Sequence, residues 1–321
     1  LPETGISPNQ VIDAIEHELH KYILGESPFN VERIRSRMDH NVARLEVPKG
    51  LLDMACYDLM GQLTGRSAHD FMGGKCVEEI PLTALVPLSD VRTMKFLSKS
   101  FVKSGHETIR FKLGRSIRED KEIAKSIRDA IGQDAKLRVD YNQAYMPADA
   151  VRAIKAIEPF GIEAVEQPVR KDDYIGMARV QGQVNTPLFS HEGFFSIQDF
   201  LTLAELGAIR AAGINGERPG GITNALRVIH LAEGRGYGTI IHSQPLGIGS
   251  AALIHLAAAT FPSLGCSPEI FGHVMIEDDL IENSLIYENG RVKVPKGPGW
   301  GVKLDEKALE KYATDQTSTI E

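Results

Sequence analysis

The sequence predicts an α/β protein whose strands close into a (β/α)7–8 barrel, and three observations predict it. Short apolar runs alternate with amphipathic stretches from residue 80 to 272, the pattern of βαβ units and a parallel sheet. Eight such runs can be read, enough to close a barrel. The polar residues at the ends of seven of them recur almost evenly. Lys112, Asp140, Glu166, Glu192, Asn215, His242 and Glu269 are separated by 28, 26, 26, 23, 27 and 27 residues, and each step has the length of one β/α unit.

The elements follow in order. "IPLTALV" (80–86) reads as a strand leading into the helical pattern "VRTMKFLSKSFVKSG", and "TIRFKLG" (108–114) leads into "SIREDKEIAKSIRDAIG", whose apolar positions recur at helical spacing. "LRVD", "EAVEQPV", "TPLFSHEG", "AIRAAGIN", "GTIIHS" and "SPEIF" are the later strands. Helices are expected to start near Pro147, Asp172, Ser196, Gly220 and Gly247. Ahead of the barrel, residues 1–78 read as mainly helical, and "SPNQVIDAIEHELHKYIL" opens on Ser7 as an N-cap. Residues 79–285 form the expected barrel, and 286–321 a C-terminal segment that returns to the first region.

Composition bounds the function. The 321 residues are 42% apolar, with a formal charge of -7. A pI near 5.9 and no basic run argue against nucleic acid or an anionic membrane as partner and favour a small ligand. Cys56, Cys76 and Cys266 are odd in number and far apart, so they suggest neither a disulfide framework nor a metal-ligand spacing. That usage fits the cytoplasm. No apolar run reaches the length of a membrane span.

In a closed barrel the C-terminal ends of all strands face one mouth, so the seven polar residues should converge. Any one carboxylate there could be a helix N-cap or a turn residue. Asp140, Glu166 and Glu192 on successive strands are different, because three carboxylates in one mouth repel without a cation. Oxygen ligands of this kind suit Mg²⁺. Lys112 precedes the carboxylates and His242 follows them by two strands, which places a base on each side of a bound molecule. A lysine beside a cation and Arg110 is pushed toward the neutral amine and becomes a usable general base.

These residues resemble the enolase superfamily, and within it the mandelate racemase/muconate lactonizing group. "LLDMACYDLMGQLTGRSAHDFMGG" is similar to the last helices of its capping domain, "RFKLG" to its Lys-x-Lys motif and "VDYNQAY" to its Asp-x-Asn metal motif. "VEQPVRKDDYIG" resembles its Glu-[Glu/Gln]-Pro strand, and "TPLFSHEGF" its fifth-strand motif. "RPGGITNALRV" and "PKGPGWGV" resemble its Gly-Gly and Pro-Gly-x-Gly segments. The resemblance implies a TIM-like barrel with an N-terminal α+β capping domain, here shortened at its start near Leu1. It implies abstraction of a proton α to a carboxylate, with the enediolate stabilised on Mg²⁺. Asp140, Glu166 and Glu192 would be metal ligands, Lys112 and His242 the acid/base pair, and Glu269 a partner of the substrate carboxylate. Asn142 would support the metal or a substrate oxygen. A homo-oligomer is also implied.

Three residues depart from the family pattern. Arg110 replaces the first lysine of Lys-x-Lys and is expected to hold substrate and lower the pKa of Lys112. Asn215 stands where an aspartate usually pairs with the histidine, and an amide orients His242 without stabilising its imidazolium. His191, before Glu192, either touches substrate or fills space. With a weaker His242, the expected reaction is dehydration of an acid sugar to a 2-keto-3-deoxy acid. Racemisation or epimerisation of a 2-hydroxy acid, cycloisomerisation of the muconate type and a catalytically silent scaffold are the alternatives.

Overall fold

The computed structural model describes residues 5–243 and 246–313; the start of the chain at Leu1 lies outside them. The N-terminal region carries helices α1 (Pro8–Asp13), α2 (Val31–Asn41) and α3 (Glu46–Thr64). The side chain of Ser7 caps α1 as expected, in a reciprocal box with Gln10. α3 is the link to the barrel.

Eight parallel strands pair in chain order, each hydrogen-bonded to the next. They follow β1 (Glu79–Pro81), which lies outside the barrel, and are β2 (Thr83–Val86), β3 (Thr108–Lys112), β4 (Lys136–Asp140), β5 (Ile162–Glu166), β6 (Leu188–Ser190), β7 (Ala211–Ile214), β8 (Gly238–Ser243) and β9 (Glu269–Ile270). The ring is nearly closed, with Thr83 N–H donating to Pro268 O at 2.8 Å beside β9. Helices α4 (Val91–Lys103), α5 (Ile117–Ile131), α6 (Pro147–Ile157), α7 (Tyr174–Gln181), α8 (Ile197–Glu205), α9 (Ile222–Gly234) and α10 (Gly247–Ala259) alternate with the strands. Their starts are set by caps. The Asp90 carboxylate accepts from Arg92 and Thr93, the Ser116 hydroxyl from Glu119, and Ser196 forms a box with Asp199. Among the described residues no helix is long and apolar enough to cross a membrane.

The expected first strand is in fact two. "IPLTALV" breaks after Pro81, which has no N–H to give a central ladder. β1 pairs antiparallel with β11 (Arg291–Lys293), which pairs with β10 (Tyr287–Glu288), and only β2 enters the barrel. The hairpin β10–β11 turns at Asn289 and Gly290, both with positive φ, the signature of a two-residue hairpin turn. A short helix, α11 (Glu306–Tyr312), follows.

Close backbone contact seats α3 on the barrel. A Cβ on Gly50 would lie 2.8 Å from Gly221 N and 2.9 Å from Gly220 C, so only glycine permits the approach. The Asp53 carboxylate then accepts from Thr223 N–H in the first turn of α9. Burial pushes the Asp53 carboxyl up to about 6.

α10 is anchored through His255. Its Nδ1 accepts from His69 N–H at 3.3 Å and its Nε2 donates to Trp300 O at 3.1 Å, so the neutral ring is satisfied at both nitrogens. Burial, and then the charge of His69, lower its pKa to about 4 from 6.5. The unfolded chain therefore binds a proton between those values that the folded chain refuses. This share of stability is complete above pH 6.5 and is lost as pH falls toward 4, on the order of 3 kcal/mol. In urea titrations across that range, His255→Gln, which keeps one donor and one acceptor, should show a flatter pH slope than the parent. Parallel slopes would mean the ring is not held neutral.

Candidate active site

Strand register builds the mouth. Lys112 pairs with Asp140 and Asp140 with Glu166, so these three side chains stand level across β3, β4 and β5. On the far side His242 pairs with Glu269 across β8 and β9. Side chains two apart share a face, which places Arg110 on the side of β3 that bears Lys112. Ala164, Phe189, Ala211 and Ile240 pack together as a small apolar cluster. The loops then carry Asn142, Glu192 and Asn215 just past their strands. Asn142 and Gln143 have positive φ, held by Asn142 N–H on Asp140 Oδ1 and Gln143 N–H on Gln167 O, both 2.8 Å.

Arg110 is the hub. Its Nη2 donates to Asp140 Oδ2 at 2.5 Å and to Glu166 Oε2 at 2.7 Å, its Nε to Glu166 Oε2 at 2.9 Å, and its Nη1 to Glu269 Oε1 at 3.0 Å. All four groups are buried. Burial opposes the guanidinium charge, but Glu166, Glu269 and Asp140 outweigh it and hold the pKa above its ordinary value. Glu166 is likewise opposed by burial and yet held well below the usual carboxylate range by Arg110, His242 and His191. Burial and the neighbouring Glu166 charge push Asp140 up to about 7. Every donor of Arg110 named here is turned onto the protein's own carboxylates.

Lys112 is the most open member, with a third of its side chain exposed. Its Nζ donates to Asn142 Oδ1 at 2.7 Å and lies 3.7 Å from Asp140 Oδ2. Asn142 Nδ2 in turn donates to Glu192 Oε1 at 3.2 Å. Burial, then the charge of Glu166, raise the Glu192 carboxyl. The sequence-predicted residues Lys112, Arg110, Asp140, Asn142, Glu166, Glu192 and Glu269 are therefore one connected group.

His191, Asn215 and His242 form the opposite wall. His242 Nε2 lies 3.2 Å from Glu269 Oε1 and 3.9 Å from Glu166 Oε1. Burial opposes its protonation, but Glu269 and Glu166 raise its pKa above the ordinary value. The dyad expected between His242 and Asn215 is replaced by another. His242 Nδ1 meets His191 Nε2 at 3.1 Å, while Asn215 bonds to His191 and to the backbone of Arg218. His191 thus stands inside the network and neither only fills space nor faces an open mouth. Gly213 makes room for it, since a Cβ there would lie 3.1 Å from His191 Cβ. Arg218, fully buried beside His191, was not foreseen. Its one signal is a charged residue inside the Gly-Pro turn "NGERPGG".

The donor set fits a divalent cation. Glu166 Oε1, Glu192 Oε2 and Glu269 Oε2 are buried without a hydrogen-bond partner, a costly arrangement unless something positive meets them. Glu166, His191 and His242 offer three ligand atoms within 4.8 Å of one another and are a candidate metal site.

Comparison with known proteins identifies the family. The model of the enolase C-terminal domain-like family matches residues 93–308. The chain belongs to the enolase superfamily, in the mandelate racemase/muconate lactonizing group. An N-succinyl-L-Arg/Lys racemase from Bacillus cereus is 27% identical over 318 residues, 98% of this chain and 84% of that one. Its crystal structure matches with a TM-score of 0.90 at 27% identity, covering 96% of this chain and 83% of that one. A hydrophobic dipeptide epimerase from Enterococcus faecalis is 39% identical over 240 residues, 74% of this chain and 67% of that one. A structure of a dipeptide epimerase from that organism with Mg and the dipeptide L-Leu-L-Tyr matches with a TM-score of 0.86 at 32% identity, covering 93% and 84%. A chloromuconate cycloisomerase from Cupriavidus pinatubonensis is 27% identical over 324 residues, 99% of this chain and 86% of that one. The protein is an enolase-superfamily isomerase of the racemase, epimerase or cycloisomerase kind, and these relatives do not support the expected acid-sugar dehydration.

Removing the hub tests the electrostatics. Arg110→Met strands three buried carboxylates and should cost about 3–5 kcal/mol of stability in EDTA at pH 7, with part recovered on adding a divalent cation. A loss under about 1 kcal/mol would show that Arg110 is not their counter-charge.

Proposed function

We propose that the protein is a metal-assisted racemase or epimerase acting at the carbon α to a carboxylate, with Lys112 and His242 as its two acid/base groups. The observation that carries this is their placement on either side of one carboxylate cluster, Lys112 3.7 Å from Asp140 and His242 3.2 Å from Glu269. Inverting a centre requires a proton to leave one face and return on the other, so it needs one such group per face. Dehydration ranks lower because the relatives named above are isomerases. Racemisation of an N-succinyl amino acid and epimerisation of a dipeptide share one chemistry. The substrate class we favour is therefore an amino acid acylated on nitrogen with a free carboxylate.

The residues divide the work. Lys112, steadied by Asn142, takes or gives the α-proton at Nζ on one face, and His242 does so at Nε2 on the other. Asp140, Glu166 and Glu192, an all-oxygen set of the kind Mg²⁺ prefers, would hold the cation; the cluster of Glu166, His191 and His242 could also hold one, but would take His242 out of acid/base work. The cation would supply positive charge to offset the negative charge that builds on the carboxylate as the α-proton leaves. Glu269 is already engaged by Arg110 and serves to keep His242 basic rather than to bind substrate.

The experiment is proton exchange in D₂O with Mg²⁺, followed by ¹H NMR for each enantiomer of a panel of N-acyl amino acids and dipeptides. Deuterium should enter at the α-carbon with inversion. Lys112→Ala should abolish exchange from one enantiomer and His242→Asn from the other, each by roughly 10²–10⁴-fold. Loss of water from an aldonic or aldaric acid, with no exchange in the panel, would restore dehydration and defeat this reading.

A further inference from the structure

Three nitrogens converge on a single ring nitrogen, His191 Nε2. Arg218 Nη2 lies 2.9 Å from it, His242 Nδ1 3.1 Å and Asn215 Nδ2 3.3 Å. A guanidinium donates and never accepts. The Asn215 amide is fixed the same way round, because its Oδ1 already accepts from Arg218 N–H at 2.7 Å. His191 Nε2 must therefore be the bare, accepting nitrogen. The ring's hydrogen is then on Nδ1, which lies 3.3 Å from Glu166 Oε1 without closing a hydrogen bond to it. With Nε2 bare and one hydrogen on Nδ1, the ring is neutral.

We infer that His191 is a positioning residue that fixes His242 as the Nδ1–H tautomer and leaves His242 Nε2 to exchange the proton with substrate. The inference rests on the reading of His242 as an acid/base group. In the step itself, Nε2 takes the α-proton as the C–H bond breaks and its electron pair stays on the substrate. Nδ1–H remains donated to His191, and the resulting imidazolium faces Glu269 and Glu166. No charge moves onto His191. A carboxylate in that place would hold His242 permanently protonated more strongly; a neutral acceptor orients it and keeps it free to lose the proton again.

The same geometry bears on His191 as a metal ligand. Binding a cation through Nδ1 would require that nitrogen's hydrogen to move to Nε2, where it would meet the N–H of Arg218. The cation is then left to Glu166 and oxygen neighbours.

The test uses the full chain labelled with ¹⁵N-histidine, with imidazole ¹H–¹⁵N correlations recorded above pH 8 with and without Mg²⁺. Both His191 and His242 should show the Nδ1–H pattern in the unsubstituted protein, a result that needs no variant to fold. His191→Phe should scramble the His242 tautomer and lower kcat by about 100-fold or more, with little change in KM. His191→Gln, which keeps an acceptor, should recover most of that rate, and Mn²⁺ affinity by calorimetry should stay within about threefold. An Nε2–H pattern for His191, or a loss of 10–100-fold in Mn²⁺ affinity in His191→Gln as expected of a ligand or its support, would overturn the inference. Unchanged racemisation in His242→Asn would instead overturn the role of His242 while leaving the tautomer result intact.

Discussion

Four carboxylates buried in one barrel mouth are the constraint around which the rest of the structure is arranged. Asp140, Glu166, Glu192 and Glu269 are almost out of water, where unpaired negative charges repel strongly. One guanidinium, Arg110, touches three of them, while burial and the charges around each set their pKa values apart. Glu166 and Glu269 are held ionised, Glu269 at about 2 against the cost of burial. Asp140 and Glu192 are pushed the other way by burial and by the charge of Glu166. A site so divided is prepared for a cation at its unsatisfied oxygens.

Much of this is legible in the chain. The near-constant spacing of polar residues is a direct consequence of one strand and one helix per unit, so the sequence alone places Lys112, Asp140, Glu166 and His242 in the mouth. Helix starts at Pro147 and Gly247 match as well, and Asp173 and Ser196 cap their helices. Side-chain direction beyond the strand ends was not legible. Whether Arg110 reaches outward to a substrate or inward to carboxylates depends on which partners the barrel closes around it, and closure is a long-range property. The pairing of His242 with His191 instead of Asn215 has the same cause. β1 and the β10–β11 hairpin are hidden for local reasons, since Pro81 splits a run that reads as one strand and the strands flanking the turn "ENGR" are only two and three residues long.

The two walls of the mouth differ in mobility of charge. On the Lys112 side, the amine is partly exposed and held by a single amide, Asn142. Across from it, His242 is buried among His191, Glu166 and Glu269, with Arg218 behind. Lys112 borders solvent, whereas His242 is enclosed by fixed neighbours. Isomerisation in place of dehydration rests on the relatives named above, and the His242 wall agrees with it. A histidine kept basic by carboxylates and oriented by a neutral ring is suited to return a proton as well as to take one.

The central claim is that a divalent cation settles on Glu166 and its oxygen neighbours while Arg110 balances the remaining charge. Anomalous diffraction from a crystal soaked in Mn²⁺ tests it most directly. A single anomalous peak bound by Glu166 together with Asp140 and Glu192 is the predicted result. A peak bound by His191, or none in the mouth at saturating Mn²⁺, would contradict it.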